Sequence, residues 1–336
     1  MHSFEFPSPI GGTPFNSDYA PSVLFAVLYA LLAPLVIWRL VSPRSRNIVL
    51  IGTIAFAIER VVIFGLRSGE SHNATERVSN NLTIYMQTTL SIGYISMAAD
   101  ILSLLRCLLV SATLSSVNGS KAKYGLVDEE SHNFLATPYQ PGTVPAFAAA
   151  GATEAAIQER ANERYWYRRI TSSLIIGFWI PFLLGTIAGI VYVKAETDEH
   201  KAQLEQQLRY ATGATSCLLV TIIQGFVLYA AVVIRDMERR PVWTLFFLIS
   251  LLNIVSLYHL VVMNYSTDSL TSILPGSLNS AAAKTWFYIL HIAPEWLVAA
   301  VLLGVNVREF FQTGLWGDQF RAQERDLVVQ KSEADH

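Results

Sequence analysis

The chain predicts an all-α membrane bundle of seven helices, and three observations lead there. Of its 336 residues, 52% are hydrophobic. Only 15% are charged, against about 25% in a soluble globular chain. The apolar residues also gather into seven segments, each near the roughly 20 residues a helix needs to cross a bilayer core. A net charge of −2 supplies no basic surface for nucleic acid.

The first segment, residues 21–41, follows a stretch with no basic residue, MHSFEFPSPIGGTPFNSDYAPS. It is too long for a signal-peptide core, so a retained helix is expected. The basic joint SPRSRN leads to span two, 48–66. Span three, 83–112, is long enough to tilt or to project past the bilayer. Residues 114–169 form the largest break, with PYQPGTVP, an Ala-rich run and then AAIQERANERYWYRR. This composition predicts a flexible loop followed by an interfacial helix. Spans four and five cover 170–193 and 210–234, and RDMERRP joins the latter to span six, 242–265. Span seven is 283–305. Residues 1–312 are thus one membrane domain, and 313–336 a polar tail.

Basic residues orient the bundle. The loops after spans one, three and five, with the tail, hold fifteen Lys and Arg; the opposite side holds five, Arg67, Arg77, Lys194, Lys201 and Arg209. The expected N-terminus is lumenal or outside and the C-terminus cytosolic, in the endoplasmic reticulum or another endomembrane. The sequons at Asn73, Asn81 and Asn264 then face the glycosylating side, whereas that at Asn118 faces the cytosol. Cys107 and Cys217 both lie in apolar segments, which predicts no structural disulfide.

Polar residues inside the spans carry the functional reading. Span two contains Glu59 and Arg60, span three Asp100 and Arg106, span six Asn253, Tyr258 and His259, and span seven His291 and Glu295. A charge at mid-bilayer costs about 2.5–3.5 kcal/mol on insertion scales. His291 and Glu295 share one helix face at i, i+4. Pro294 between them removes a backbone hydrogen bond and predicts a kink. Trp286, Tyr288 and Trp296 surround the pair in sequence. Structural readings stand beside the functional ones: Glu59–Arg60 and Asp100–Arg106 as ion pairs, His259 as an interfacial histidine, the aromatics as packing and interface belts.

Several chemistries are excluded. Two span histidines cannot build a multi-histidine di-iron site, and no Gly-rich phosphate loop, GxSxG, HExxH or paired-cysteine zinc pattern occurs. No Asp-rich diphosphate–magnesium motif occurs, and ETDEH (196–200) reads as a solvated charge run. Neither metal nor cofactor is expected. What remains is acid chemistry on a neutral hydrophobic substrate. A carboxylic acid in a dry pocket can stay protonated at neutral pH and protonate an epoxide or olefin. Aromatic faces would then stabilise the resulting cation. Glu295, Glu59 and Asp100 are the candidate acids, and His291 would orient the acid or take the final proton. Trp286, Tyr288, Trp296, His259 and Asn253 are the candidate substrate contacts.

The last helix, WFYILHIAPEWLVAAVLLGVNVREFF, together with the Arg and Asp positions of spans two and three, resembles a group of fungal membrane proteins. These are the integral-membrane terpene cyclases of meroterpenoid pathways, of the ascofuranone, ascochlorin and macrophorin type. The resemblance implies isomerisation of a prenylated, epoxidised aromatic or quinone-like substrate in secondary metabolism. It transfers no catalytic residue, so the site residues above rest on residue chemistry alone. The expected partners are a hydrophobic prenylated small molecule and membrane lipid. A more distant likeness is to fungal seven-helix receptor-like proteins of unknown function. A receptor-like or lipid-translocating protein is therefore the alternative, although span seven lacks NPxxY and span six lacks CWxP.

Overall fold

A computed structural model describes residues 4–42, 45–123, 146–234, 237–315 and 317–318, with backbone alone over 114–123 and 146–158. The expected loop around PYQPGTVP and the tail from 319 onward lie outside the described residues, as does the side chain of Asn118.

The chain is mostly helical. After β1 (Phe6–Pro7) and a 3-10 turn (Asn16–Asp18) come α1 (Tyr19–Ala30), α2 (Ala33–Val41), α3 (Ile51–His72) and the short α4 (Ala74–Arg77). The long α5 (Asn80–Lys123), α6 (Ala146–Gly177), α7 (Trp179–Ala195), α8 (Glu199–Val233) and α9 (Arg239–Val262) follow. The last part comprises β2 (Ser266–Thr267), α10 (Ala281–Phe287), a π-helical turn (Tyr288–Ile292), α11 (Ala293–Gly304), α12 (Val307–Phe310), β3 (Thr313–Gly314) and β4 (Gly317–Asp318).

Three prolines explain where the spans break. A proline ring clashes with the carbonyl four residues earlier. Pro34 stands four residues after Ala30, where α1 ends, and Pro181 four after Gly177, where α6 ends. Pro294 stands four after Leu290, inside the π turn. The kink expected near Pro294 therefore takes the form of a π bulge, a local widening that often marks functional sites.

Among the described residues, six helical stretches are long and apolar enough to cross a membrane: Asn16–Val41, Asn80–Thr113, Glu159–Ala195, Glu199–Val233, Arg239–Val262 and Ala281–Gly304. Six of the seven expected spans are among them; the expected span two, 48–66, is not. The segment expected as span two is helical, but α3 carries Glu59, Arg60, Arg67 and Glu70, too many charges for an apolar stretch. Its polarity is one-sided. Arg60 and Arg67 are buried, while Ile51, Ile58 and Val62 face outward.

Helix α5 is the centre of the bundle. It touches α3, α6, α7, α8, α9 and α11, and Leu90, Tyr94, Met97, Ile101 and Leu105 along it are fully buried. On α7, Gly185 and Gly189 let the backbone close on α5, since a Cβ at either would run into Ile92 or Thr88. At what we term the upper face, β1 pairs antiparallel with β2, Phe6 opposite Thr267. At the lower face β3 pairs with β4, and Arg39 of α2 donates to the carbonyls of Leu303 and Gly304. These are orphan acceptors at the end of α11, which a basic side chain suits.

Candidate functional site

The π turn and α11 carry His291 and Glu295 into the middle of the bundle, where both are completely buried. Glu295 is met by Arg60 of α3 in a two-point fork, Nε to Oε2 at 3.1 Å and Nη2 to Oε1 at 3.0 Å. The guanidinium lies over the Phe56 ring, 4.4 Å from its centroid. Gly93 of α5 makes room for it, since a Cβ there would stand 2.6 Å from Nη2. His291 Nε2 lies 3.2 Å from Glu295 Oε1 and 3.4 Å from His259 Nε2. The His259 ring packs on Tyr94, whose hydroxyl shares a 2.6 Å hydrogen bond with Ser216. A polar chain thus runs from α3 through the last span to α9, and ring packing of His259 on Tyr94 continues it to α5 and α8. Arginine stays cationic in proteins and its planar fork matches a carboxylate, so Glu295 is neutralised as half of an ion pair. Its geometry is that of a positioned anion.

A second buried cluster lies above the first. Arg67 donates to Asp18 Oδ1 at 3.2 Å, to the Tyr288 hydroxyl at 3.3 Å and to the carbonyls of Gly11 and Gly12. Lys284 of α10 pairs with the other oxygen of Asp18. The Tyr288 hydroxyl also donates to Asp18 Oδ1 at 3.2 Å.

The remaining expected residues do not converge on one pocket. Asp100 accepts from Thr53 N at 2.6 Å and Thr53 Oγ1 at 2.7 Å. It thereby satisfies an orphan amide in the first turn of α3, seven residues, or roughly 10 Å, along the helix from Arg60. The Asp100–Arg106 pair does not form. Nor does Glu59–Arg60, because Arg60 faces Glu295 while Glu59 is half-buried on a neighbouring face. Tyr288 belongs to the Asp18–Arg67 cluster and stacks on Phe25. Asn253 donates to Gln224 of α8 at 2.6 Å. Trp296 is half-buried with its indole N–H unpartnered.

Trp286 does line a cavity. A groove of about 650 Å³ opens between the end of α9, the 264–280 connection and α10. Tyr258, Tyr265, Leu274, Leu278, Trp286 and Leu290 form much of its wall, and no charged residue lines it. Leu274 and Trp286, 61% and 56% exposed, mark a sideways opening toward the apolar exterior. Tyr258 joins the groove to the buried chain, its ring centroid 5.7 Å from that of His291.

Sequence reasoning missed Arg60 as the partner of Glu295, and Asp18, Arg67 and Lys284 altogether as buried residues. One signal was present: Arg60 and Arg67 are seven residues apart, two turns on one face of a single helix. Among the described residues, no cluster of three or more His, Cys, Asp or Glu side chains is arranged to hold a metal ion. The chain matches no family model, no curated protein and no solved structure.

Proposed function

We infer that this protein takes a neutral, hydrophobic small molecule from the bilayer into the groove beside α10, as a receptor-like or lipid-handling bundle. The observation that carries this reading is the uncharged groove itself, sized for a lipid-like molecule and separated from a buried ionic chain by one tyrosine. In this reading α3 is the seventh span: its 22 residues reach about 33 Å, and its charges are turned inward. The basic-residue bias supports an N-terminus outside the cytosol, in an endomembrane. Asn73, Asn81 and Asn264 are exposed on the corresponding face and serve as glycosylation sites, so Asn73→Gln should remove a glycosidase-sensitive mass step.

Binding of a labelled farnesyl aromatic to the purified protein in lipid nanodiscs tests the inference. Saturable binding is expected, with roughly tenfold weakening in Trp286→Ala, equal to about 1.4 kcal/mol. Binding that is unsaturable, or identical in the two proteins, rejects it.

A second reading, the acid-initiated terpene cyclase, is favoured by Tyr258, whose ring faces both the groove and His291. Here the phenol donates its proton to an epoxide oxygen and the C–O bond breaks. The olefin π electrons close the ring, and the Tyr258 phenolate takes back a carbon-bound proton, which returns the proton count to its start. The product is an isomer of unchanged mass. His291, held by Glu295 and Arg60, would keep the phenol oriented and accept charge. An epoxyfarnesyl aromatic given to microsomes should yield that isomer, and Tyr258→Phe should abolish it. Unchanged substrate with folded protein leaves the binding reading alone.

A further inference from the structure

Residues Phe6–Pro14, FPSPIGGTP, are all buried, although none is charged and only Phe6 and Ile10 are large and apolar. The bundle holds them chiefly through their backbone. The Pro7 carbonyl accepts from Tyr192 Oη of α7 at 3.0 Å, and that of Ser8 from Arg209 Nη1 of α8 at 2.8 Å. Gly11 and Gly12 carbonyls accept from the two Arg67 amino groups, and the Thr13 carbonyl from Lys284 Nζ at 2.9 Å. On the donor side, Ser8 N reaches Tyr265 O at 3.0 Å, Ile10 N reaches Gln87 Oε1 at 2.8 Å, and Thr13 N reaches Asn279 Oδ1 at 2.7 Å. Phe6–Pro7 pairs with β2 and Gly12 N closes a turn on Pro9 O at 2.9 Å, so the segment is bound as a foreign peptide is bound: main-chain bonds for affinity, side-chain pockets for choice.

The glycines fit this description. Gly11 (φ +74°) and Gly12 (φ +64°) adopt the left-handed backbone that glycine favours. A Cβ at Gly11 would stand 2.7 Å from the Phe287 ring, and one at Gly12 2.5 Å from the Leu278 carbonyl. Polar capacity is also left over. Arg209 Nη2 and Glu205 Oε2 are buried without a partner although the two residues pair through their other atoms. Buried donors and acceptors in native proteins are normally satisfied, so the crevice has more recognition groups than its present occupant uses.

We propose that the upper mouth of the bundle is a peptide-binding crevice, formed by Arg67, Gln87, Tyr192, Arg209 and Lys284, with residues 6–14 as its tethered and exchangeable occupant. Its ligand class is a peptide with uncharged side chains that turns at consecutive glycines. The segment closes the bundle from the aqueous side, which leaves the lateral groove as the route inward. The proposal does not depend on the groove reading.

The test uses the full chain with Cys107→Ala and Cys217→Ala, and Ser8→Cys as a reporter for a water-soluble maleimide. A tethered occupant competes at an effective concentration in the millimolar range, so a free peptide FPSPIGGTP must be supplied above that. Excess peptide should raise the labelling rate of Cys at position 8 at least fivefold, and a scrambled peptide should not. Gly12→Ala, which forces the segment out, should label fast without peptide and bind labelled peptide saturably. Labelling that ignores the peptide at every concentration, or that responds equally to the scrambled sequence, overturns the proposal. So does a monodisperse Gly12→Ala chain that labels fast yet binds no peptide.

Discussion

Arg60 and Arg67 sit two turns apart on the same face of α3, both completely buried, yet they are satisfied in different ways. Arg60 is met by one residue, Glu295, through a two-point fork, with Thr89 O a distant 3.5 Å. Arg67 spreads its donors over Asp18, Tyr288 and two backbone carbonyls, and shares its carboxylate with Lys284. The first arrangement concentrates dependence on a single partner; the second distributes it. Losing one partner of a buried pair leaves an uncompensated charge, whereas a distributed cluster has other groups to absorb the loss.

Predictions follow from that contrast. The largest effect belongs to Arg60→Leu or Glu295→Gln alone, each expected to cost about 3–5 kcal/mol because the other charge is stranded. Thermal unfolding in detergent measures it, and Arg60→Leu combined with Glu295→Leu should recover most of the loss. A double variant no better than either single one would mean the pair is not what the site depends on. Next comes Arg67→Leu, expected at about 1–3 kcal/mol because Lys284 still holds Asp18. An effect equal to that of Arg60→Leu would erase the distinction between the clusters. Asp100→Asn should cost about 1 kcal/mol, the worth of a helix N-terminal cap, and leave ligand binding or turnover unchanged. Lost function at retained stability would restore Asp100 to the catalytic set. The smallest effect is expected for Glu59→Gln, within about 0.5 kcal/mol, since Glu59 is only half-buried and no ion partner engages it.

How much of this was legible beforehand varies with the range of the interaction. The positions of α5, α8 and α9 followed from apolar runs, and the irregularity at Pro294 from a local steric rule; the breaks before Pro34 and Pro181 fall inside spans that read as continuous. The juxtaposition of His291 with Glu295 followed from helical spacing, and His259 joined them as a residue already singled out. The ion-pair reading of Asp100 does not hold, because its nearest charge in sequence, Arg106, is not its partner in space. Thr53 of α3 takes that carboxylate instead, 47 residues away. Tyr288 stands two residues from Trp286; about half a turn of helix is enough to send Trp286 to the groove and Tyr288 to Asp18.

By itself, the sequence determined that this is a helical membrane protein, where proline distorts its last span and which face of that span carries ionisable groups. These depend on composition and on contacts within a few residues. Only the tertiary structure decided that Arg60 neutralises Glu295 across 235 residues, that an uncharged groove lies beside that chain, and that an unremarkable FPSPIGGTP is held by buried cations. A charge buried in an apolar bundle must find a partner, but every helix of the bundle offers candidates. Which one it meets depends on how the helices pack, and that is a property of the whole chain at once.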